Sequence, residues 1–323
     1  YLDNSSSFFP KKIDFSNYKK AMEKFVFESY VDGELVANLK RPLPVKAGER
    51  GLRQSDAVFA HVKNLPDLAS EAKSYLEDCE IIAIGVSEKP RNIEGSYMPC
   101  FLAGVAVAEN LAGALGVPLY RFSHQCGHIM AAVFSAGRFD LLEEPFAAYH
   151  VSGGTTELLK VTCDGDGFKA ELLGGTADLN AGQIIDRVGV YMGLPFPSGK
   201  HIEELALKCT IKPPRRKPPV KGMCANLSGL ENLAIKLYEE SGDASQTSAF
   251  VLDYIGRALE LTCDALVEEQ GKMPFVFAGG VMCNSIIKER LHKRFNGVFA
   301  EPAMSADNAV GIAALTLRAW TKK

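Results

Sequence analysis

The chain has 323 residues, which is enough for one large domain or for two lobes. Its 47% hydrophobic and 23% charged residues are typical of a globular protein, and its net charge of −3 excludes a global positive field, so any RNA contact requires a local basic patch. Eight scattered cysteines without a CxxC pair exclude a disulfide framework and predict reduced thiols in a cytosolic protein.

Helices and strands alternate along the N-terminal half of the chain. Helical periodicity or Ala-rich composition predicts two helices, and apolar runs predict two buried strands. In chain order these are a helix over 53–78, a strand over 79–87, a helix over 101–116 and a strand over 117–122. Gly116, followed by Pro118, marks the end of the second helix. The alternation favours an α/β fold.

The C-terminal half opens with a different pattern. Residues 147–174 alternate apolar and polar side chains around the turn CDGDG, which predicts an antiparallel β unit. Helical patterns and one apolar strand follow it. The predicted elements are a helix over 178–194, a helix after Ser198, a long amphipathic helix over 244–270 and a strand over 274–280. Another helix follows that strand, and a strand, a loop and a helix close the chain.

Two histidines lie four residues apart in the segment SHQCGHIM. On a helix, His124 and His128 share one face, so both imidazoles can point at one ion. Two imidazoles and a carboxylate suit iron or zinc and leave positions open for a ligand. The alternative is a pair of ordinary surface or core histidines, which is the commoner origin of this spacing.

Three Gly-Gly pairs each follow an apolar strand, at Gly153-Gly154, Gly174-Gly175 and Gly279-Gly280. Such pairs leave N–H groups that can bind an anion, and we expect them to mark places where the backbone approaches a nucleotide. For any one pair, a tight structural turn is the commoner explanation. Asp186 is either a surface carboxylate or an acceptor for ribose hydroxyls, and Asn284 either caps a helix or faces the nucleotide.

A basic segment, KCTIKPPRRKPPVK at 208–221, contains six lysines and arginines, four prolines and no acid. The proline density excludes a regular helix or a central strand. The segment is either a solvated surface connection or a basic finger that touches RNA phosphates.

Taken in order, the motifs resemble those of the tRNA threonylcarbamoyl-adenosine transferases (TsaD), formerly called O-sialoglycoprotein endopeptidases. The resemblance runs from about residue 53 to the C-terminus. Its motifs are HQCGH at 124–128, VSGG at 151–154, LGGTADLNAGQIIDRV at 173–188, GLPFPSG at 193–199, NLSGLENLA at 226–234, GGVMCN at 279–284 and ADNAVGIAA at 306–314.

The resemblance implies an α/β protein with the actin-like ATPase (ASKHA) fold, in which two lobes flank a central cleft. We expect residues 1–123 and 300–323 to form the first lobe and 124–299 the second. The implied reaction transfers a threonylcarbamoyl group from threonylcarbamoyl-adenylate to the tRNA adenosine beside the anticodon. Implied partners are tRNA, a smaller homologous subunit and other threonylcarbamoylation proteins in the cytoplasm, with no membrane contact.

The resemblance also assigns roles to individual positions. It implies one divalent metal ion, iron or zinc, on His124, His128 and Asp307. It places the adenylate and its nucleoside against His150, Val151, Ser152, Gly153, Gly154, Asp186, Gly199 and Asn284. No covalent catalytic residue is assigned, because the adenylate is already a good leaving group.

The chain departs from the family pattern at several positions. Thr155 replaces a histidine, Leu179 replaces the second of two aspartates, and Gln183 replaces a glutamate. These changes favour the alternative of a non-catalytic nucleotide-binding paralogue that acts as a scaffold or regulator, or a related carbamoyltransferase. A protease is excluded, because no Ser/His/Asp arrangement is visible and HQCGH lacks the glutamate of HExxH.

Overall fold

A computed structural model describes most of the chain. The described residues are 2–3, 27–31, 34–37, 39, 41, 53–76, 79–301 and 309–322. Contacts divide the chain into two compact units. The first comprises 1–143, 163–169 and 307–323, and the second comprises 144–162 and 170–306. The expected lobe boundary lies after residue 123, but in this division the first unit continues to residue 143. The helix that begins at His124 belongs to the first unit because it packs against the C-terminal helix.

The first unit contains short β pairs and four helices in its described part. The strands are β1 Leu2–Asp3, β2 Phe27–Val31, β3 Glu34–Ala37, β4 Glu80–Ile81, β5 Ile84–Lys89 and β6 Leu119–Ser123. The helices are α1 Gln54–Leu76, α2 Phe101–Leu115, α3 His124–Ser135 and α9 Ala309–Thr321, with a 3-10 turn at Phe139–Leu142. β5 and β6 are parallel, and α3 packs against α9.

The predicted helices and strands of this unit are confirmed, with one difference. α2 ends at Gly116, which adopts the left-handed conformation and donates its N–H to the Ala112 carbonyl. α3 follows β6 directly, and Ser123 caps it by accepting a hydrogen bond from the Cys126 N–H. The apolar run at 79–87 forms two strands, β4 and β5, instead of one.

The second unit is built on a seven-stranded mixed sheet. Its strands are β7 Phe146–Val151, β8 Thr156–Asp164, β9 Gly167–Thr176, β10 Val220–Lys221, β11 Cys224–Ala225, β12 Phe275–Ala278 and β13 Val298–Phe299. They lie in the order β10-β11-β9-β8-β7-β12-β13. β7 and β8 are antiparallel, as the alternating pattern predicts, whereas β7, β12 and β13 are parallel.

Helices cover this sheet and supply its core. They are α4 Ala181–Tyr191, α5 Gly199–Leu207, α6 Ser228–Ser241, α7 Ala244–Gln270 and α8 Ser285–Phe295, with a 3-10 turn at Gly280–Cys283. α7 is the amphipathic helix that the sequence predicts. Asp243 caps it by accepting hydrogen bonds from the Ser245 and Gln246 N–H groups. Of the helices that the structure describes in either unit, none combines the length and apolarity needed to cross a membrane.

Candidate nucleotide and metal sites

The carboxyl ends of β7 and β12 lie side by side in the second unit. The two strands are parallel, and His150 is opposite Ala278 at their ends. After β7 the chain makes a tight turn in which the Ser152 N–H donates to the Thr155 carbonyl at 2.8 Å. After β12 it enters the 3-10 turn at Gly280. Ligands of α/β sheets bind outside the carboxyl ends of neighbouring parallel strands, so this edge is the candidate site.

Three glycines at this edge face open space. A Cβ atom on Gly153, Gly154 or Gly280 would meet no heavy atom within 4 Å, and all three residues are exposed. Neither Gly153 nor Gly154 donates its N–H to a backbone carbonyl of the described residues. Packing therefore does not require glycine at these positions, and the space above the backbone can admit an anionic group.

Helix α4 begins against the same turn. A Cβ atom on Gly182 would lie 2.6 Å from the Ser152 carbonyl oxygen, so the helix approaches the turn as closely as glycine allows. The Ala181 N–H donates to the Thr156 hydroxyl at 2.9 Å, which fixes the approach. The positive end of the α4 dipole thus lies beside Ser152 and Gly153, where it favours an anion. The sequence motif AGQIID did not by itself identify Gly182 as a residue of the site.

The turn after β12, at Gly279 and Gly280, also packs closely against β7. Gly279 has φ of 95°, a conformation that favours glycine, and its Cβ would lie 2.4 Å from the Val151 carbonyl oxygen. His150 and Val151 are 4% and 0% exposed. Of the predicted adenylate contacts on β7 and its turn, Gly153 and Gly154 are exposed and Ser152 is half-buried.

Asp186 and Gly199 come together through the segment between α4 and α5. The Ser198 N–H donates to one Asp186 carboxylate oxygen at 2.8 Å. Burial raises the pKa of Asp186, and the Ser198 hydrogen bond opposes this rise. Gly199 begins α5 and has open space where a Cβ would be. Asp186 therefore anchors the start of α5, and one oxygen of its carboxylate is committed to that contact.

Asn284 is the N-cap of α8. Its side-chain oxygen accepts a hydrogen bond from the Ile287 N–H at 3.1 Å, and the residue is 7% exposed. The Glu203 carboxylate, on α5, accepts a hydrogen bond from the neighbouring Ser285 N–H at 2.7 Å. α5 and the start of α8 are thereby joined. No local motif around Glu203 distinguishes it in the sequence from an ordinary surface acid.

The middle glycine pair has a different role from the one the sequence suggests. Gly174 and Gly175 lie inside β9, where Cβ atoms would be 2.1 Å from the Met223 and Thr156 carbonyl oxygens respectively. Close packing of the backbone within the sheet accounts for both glycines. The structure therefore assigns this pair to sheet packing, and it gives the pair no open space for a nucleotide.

Asp178 also serves the structure of the second unit. One carboxylate oxygen accepts from the Leu227 N–H at 2.7 Å, and the other accepts from the Ser228 hydroxyl at 2.7 Å and the Ser228 N–H at 3.1 Å. Burial opposes ionisation, but these hydrogen bonds lower the net pKa of Asp178. Asp178 fixes the start of α6, and Leu179 packs against the hydrophobic core.

The two histidines of α3 face each other in the first unit. Their Nε2 atoms are 3.1 Å apart, and the rings are nearly perpendicular at 83°. Two nitrogens that share one zinc ion at bond lengths of about 2.0–2.1 Å and tetrahedral angles are separated by about 3.3 Å. His124 and His128 are therefore spaced as two ligands of one metal ion. His128 is 7% exposed, and Phe101 contacts the His124 ring edge-on.

The third predicted metal ligand, Asp307, lies outside the described residues. Within the described ranges, no group of three His, Cys, Asp or Glu side chains forms a metal cluster. The helix that follows Asp307 is described, and it packs closely on α3. A Cβ atom on Gly311 would lie 1.8 Å from the Gly127 carbonyl oxygen, so α9 contacts α3 between the two histidines.

Known proteins resemble this chain along most of its length. The family model of tRNA N6-adenosine threonylcarbamoyltransferase (TsaD) matches residues 46–314. The tRNA N6-adenosine threonylcarbamoyltransferase of Streptococcus pneumoniae (strain Taiwan19F-14) is 30% identical over 263 residues, covering 78% of this chain and 75% of the relative. The protein of the same name from Christiangramia forsetii is 28% identical over 274 residues, with coverage of 80% and 78%.

A solved structure supports the fold. The crystal structure of T. kodakarensis HypF has a TM-score of 0.53 and 15% identity, covering 80% of this chain and 43% of HypF. At this identity the likeness concerns the fold alone, and it confirms the expected actin-like ATPase fold. The family model and the S. pneumoniae relative establish more: the chain belongs to the family of tRNA N6-adenosine threonylcarbamoyltransferases.

Proposed function

We propose that this protein transfers the threonylcarbamoyl group of threonylcarbamoyl-adenylate to the N6 amine of the tRNA adenosine beside the anticodon. The observation that carries the nucleotide part is the exposed turn at Gly153 and Gly154. There, the Gly153 nitrogen lies against the start of α4, and the Cβ positions of Gly153 and Gly154 face open space. Such a turn suits a phosphate, and the adenylate supplies one.

The remaining residues of this edge suit the nucleoside. Gly280 leaves space beside the same turn, and Gly199 leaves space at the start of α5. The Asp186 carboxylate accepts a bond from Ser198 and has a second oxygen that can accept from a ribose hydroxyl. Asn284 contributes by holding the start of α8, since its side-chain oxygen caps that helix.

The first unit would hold a divalent metal ion, iron or zinc. His124 and His128 supply two imidazole nitrogens at a spacing that fits one ion. We assign Asp307 as the third ligand, because it precedes the first residue of α9 by two positions and α9 contacts α3 beside Gly127. When bound, the ion acts as a Lewis acid toward an oxygen of the substrate.

The reaction needs no protein nucleophile. The adenosine N6 attacks the carbonyl carbon of the carbamoyl group, the bond from that carbon to the phosphate oxygen breaks, AMP leaves, and the amine loses a proton. The chain's own task is to hold the adenylate in position and to stabilise negative charge on the departing phosphate. The N–H groups of Gly153 and Gly154 and the α4 dipole can do both.

A smaller homologous subunit is part of the proposal. α1 and α2 carry large apolar side chains that are exposed in the described part of the first unit. They include Phe59 at 72%, Val62 at 58%, Leu102 at 52% and Leu111 at 45%. An exposed apolar patch of this kind is characteristic of a protein interface. The pair of helices is therefore the surface that we assign to the partner subunit.

Mass spectrometry of tRNA nucleosides tests the proposal in cells. The full chain is expressed in cells that lack their own threonylcarbamoyltransferase, together with its partner proteins. Restored threonylcarbamoyladenosine supports the transferase, and the variant His124→Ala should fail to restore it. If the wild-type chain accumulates to normal levels and the modified nucleoside stays absent, the transferase proposal is wrong.

A non-catalytic nucleotide-binding paralogue is the second candidate, and one observation favours it. Where the family has paired aspartates, Asp178 uses both carboxylate oxygens to hold α6, and Leu179 packs against the core. Both carboxylate oxygens of Asp178 accept hydrogen bonds from the protein, and Leu179 has no carboxylate. Adenylate binding without tRNA modification, measured in the same cells and with the purified protein, would assign the chain to this alternative.

A further inference from the structure

The segment at 208–221 concentrates positive charge on the second unit. It holds six of the chain's 36 lysines and arginines and none of its 39 acids. The central cations Arg215, Arg216 and Lys217 are all exposed. Among the described residues, none of these three forms a salt bridge, whereas Arg187, Arg257, Arg290 and Arg294 are each paired with a carboxylate. The segment therefore presents three central cations that no carboxylate in the described part of the chain neutralises.

The segment is held at both ends although it has no regular structure in its middle. It leaves α5 at Lys208, whose N–H donates to the Leu205 carbonyl. It enters the sheet at β10, which pairs with β11, and β11 pairs with β9. Pro218 is buried, and the Asn226 N–H donates to the Pro219 carbonyl at 3.0 Å.

Prolines flank the three central cations directly. Pro213 and Pro214 precede Arg215, and Pro218 and Pro219 follow Lys217. Because each proline fixes its own φ and restricts the residue before it, this stretch is semi-rigid and extended. An extended, anchored row of cations loses little conformational entropy when it binds a row of anions. A merely solvated connection gains nothing from this arrangement.

We propose that residues 208–221 bind the phosphate backbone of the tRNA substrate. The inference rests on the proposed function for the identity of the RNA, while the charge and the anchoring indicate a polyanion by themselves. α5 spans nine residues from Gly199, so the basic segment begins about 13 Å along that helix from Gly199, one of the residues assigned to the nucleoside. RNA held by the segment therefore lies within reach of an adenylate bound in the same unit.

The test compares three full-length variants with the wild-type chain. R215A/R216A/K217A removes the central charges, and R215K/R216K/K217R keeps them. K63A/K236A/K272A removes three exposed lysines elsewhere on the surface. Binding of an unmodified tRNA transcript with adenosine beside the anticodon is measured by fluorescence anisotropy between 50 and 300 mM salt (roughly the range in which phosphate contacts dominate RNA affinity).

We expect R215A/R216A/K217A to bind tRNA about 10- to 100-fold more weakly at moderate salt, and to lower the salt slope by about one for each phosphate that is no longer neutralised. The charge-conserving variant should bind within about threefold of wild type, as should the scattered control. Unchanged tRNA affinity in R215A/R216A/K217A would overturn the proposal. So would an equal loss in the scattered control, because the effect would then be one of total charge.

AMP binding by the same variants separates this proposal from the proposed function. The charge-removing variant should keep its AMP affinity, since Gly153 and Gly154 are unchanged. If the wild type binds tRNA through the segment but transfers no threonylcarbamoyl group, the proposed function fails and the RNA surface stands. If transfer occurs and the three cations do not affect tRNA binding, the proposed function stands and the RNA surface is wrong.

Discussion

Gly311 of α9 lies against the backbone carbonyl of Gly127 in α3. A Cβ atom at position 311 would be 1.8 Å from that oxygen and 2.7 Å from the Ala131 N atom. Gly127 is the residue immediately before His128 in HQCGH. The contact therefore joins the histidine helix to the helix that follows Asp307.

Gly311→Ala should destabilise the protein by about 3 kcal/mol or more, because an added methyl group forces two packed backbones apart. It should also lower bound metal by displacing α9. Urea unfolding and metal analysis measure the two effects. Gly113→Ala is the matched control. Gly113 lies in α2 with no atom within 4 Å of its Cβ position, so alanine there should stabilise by about 0.5–1 kcal/mol. Equal stability of the two variants would contradict the packing argument.

Gly153→Ala and Gly154→Ala should leave the fold unchanged and weaken nucleotide binding. The added methyl groups meet no protein atom, so the unfolding free energy should change by less than about 0.5 kcal/mol. They occupy the space above the turn, and AMP affinity should fall about 10-fold or more as the phosphate is displaced. Calorimetry measures the binding, and Gly113→Ala, which adds a methyl group to open space in α2, serves as the control. Unaltered AMP affinity in both variants would show that the phosphate does not bind at this turn.

Asp178 should stabilise the second unit in a pH-dependent manner. Its lowered pKa means that the native state favours the carboxylate, so its contribution is complete above the unfolded-state pKa of about 3.9. The contribution is lost as pH falls through the lower native pKa. Asp178→Asn should therefore be less stable than wild type by about 1 kcal/mol or less at pH 7, because solvent screens this exposed carboxylate, and the gap should narrow below pH of about 4. A gap that stays constant across this range would show that the charge is not what stabilises α6.

Metal content should depend on both histidines of α3. His124→Ala and His128→Ala should each lose most of the bound iron or zinc in elemental analysis, because one imidazole and the assigned Asp307 carboxylate leave too few ligands to retain the ion. His61→Ala, on α1, should keep the wild-type stoichiometry. A metal-free wild type, purified without chelator and challenged with both metals, would contradict the two-imidazole site.

The sequence predicts the elements of this fold better than it predicts the roles of its glycines. α7 is found from its amphipathic spacing and the end of α2 from Gly116 and Pro118, which are local signals. Gly174 and Gly175 are misjudged because their reason lies in the carbonyls of Met223 and Thr156, which are distant in sequence. Glu203 is missed for the same reason, since its partner Ser285 belongs to another helix. Contacts between distant segments leave no local periodicity to detect.

The lobe boundary shows the same limit. The fold that the resemblance implies is divided after residue 123, but α3 packs on α9, which lies at the other end of the chain. The histidine pair itself is a local feature, and its i,i+4 spacing on a helix is confirmed by the 3.1 Å approach of the two Nε2 atoms. The metal ligation that we assign to this pair stays a prediction.

Single-turnover transfer with purified components tests the central claim most directly. Synthetic threonylcarbamoyl-adenylate, unmodified tRNA transcript and the chain with its partner proteins are mixed, and nucleosides and AMP are quantified by mass spectrometry. We expect one threonylcarbamoyladenosine for each AMP released, with transfer reduced by Gly154→Ala and by His128→Ala. Release of AMP without modified tRNA, or no release with adenylate bound, would contradict this expectation.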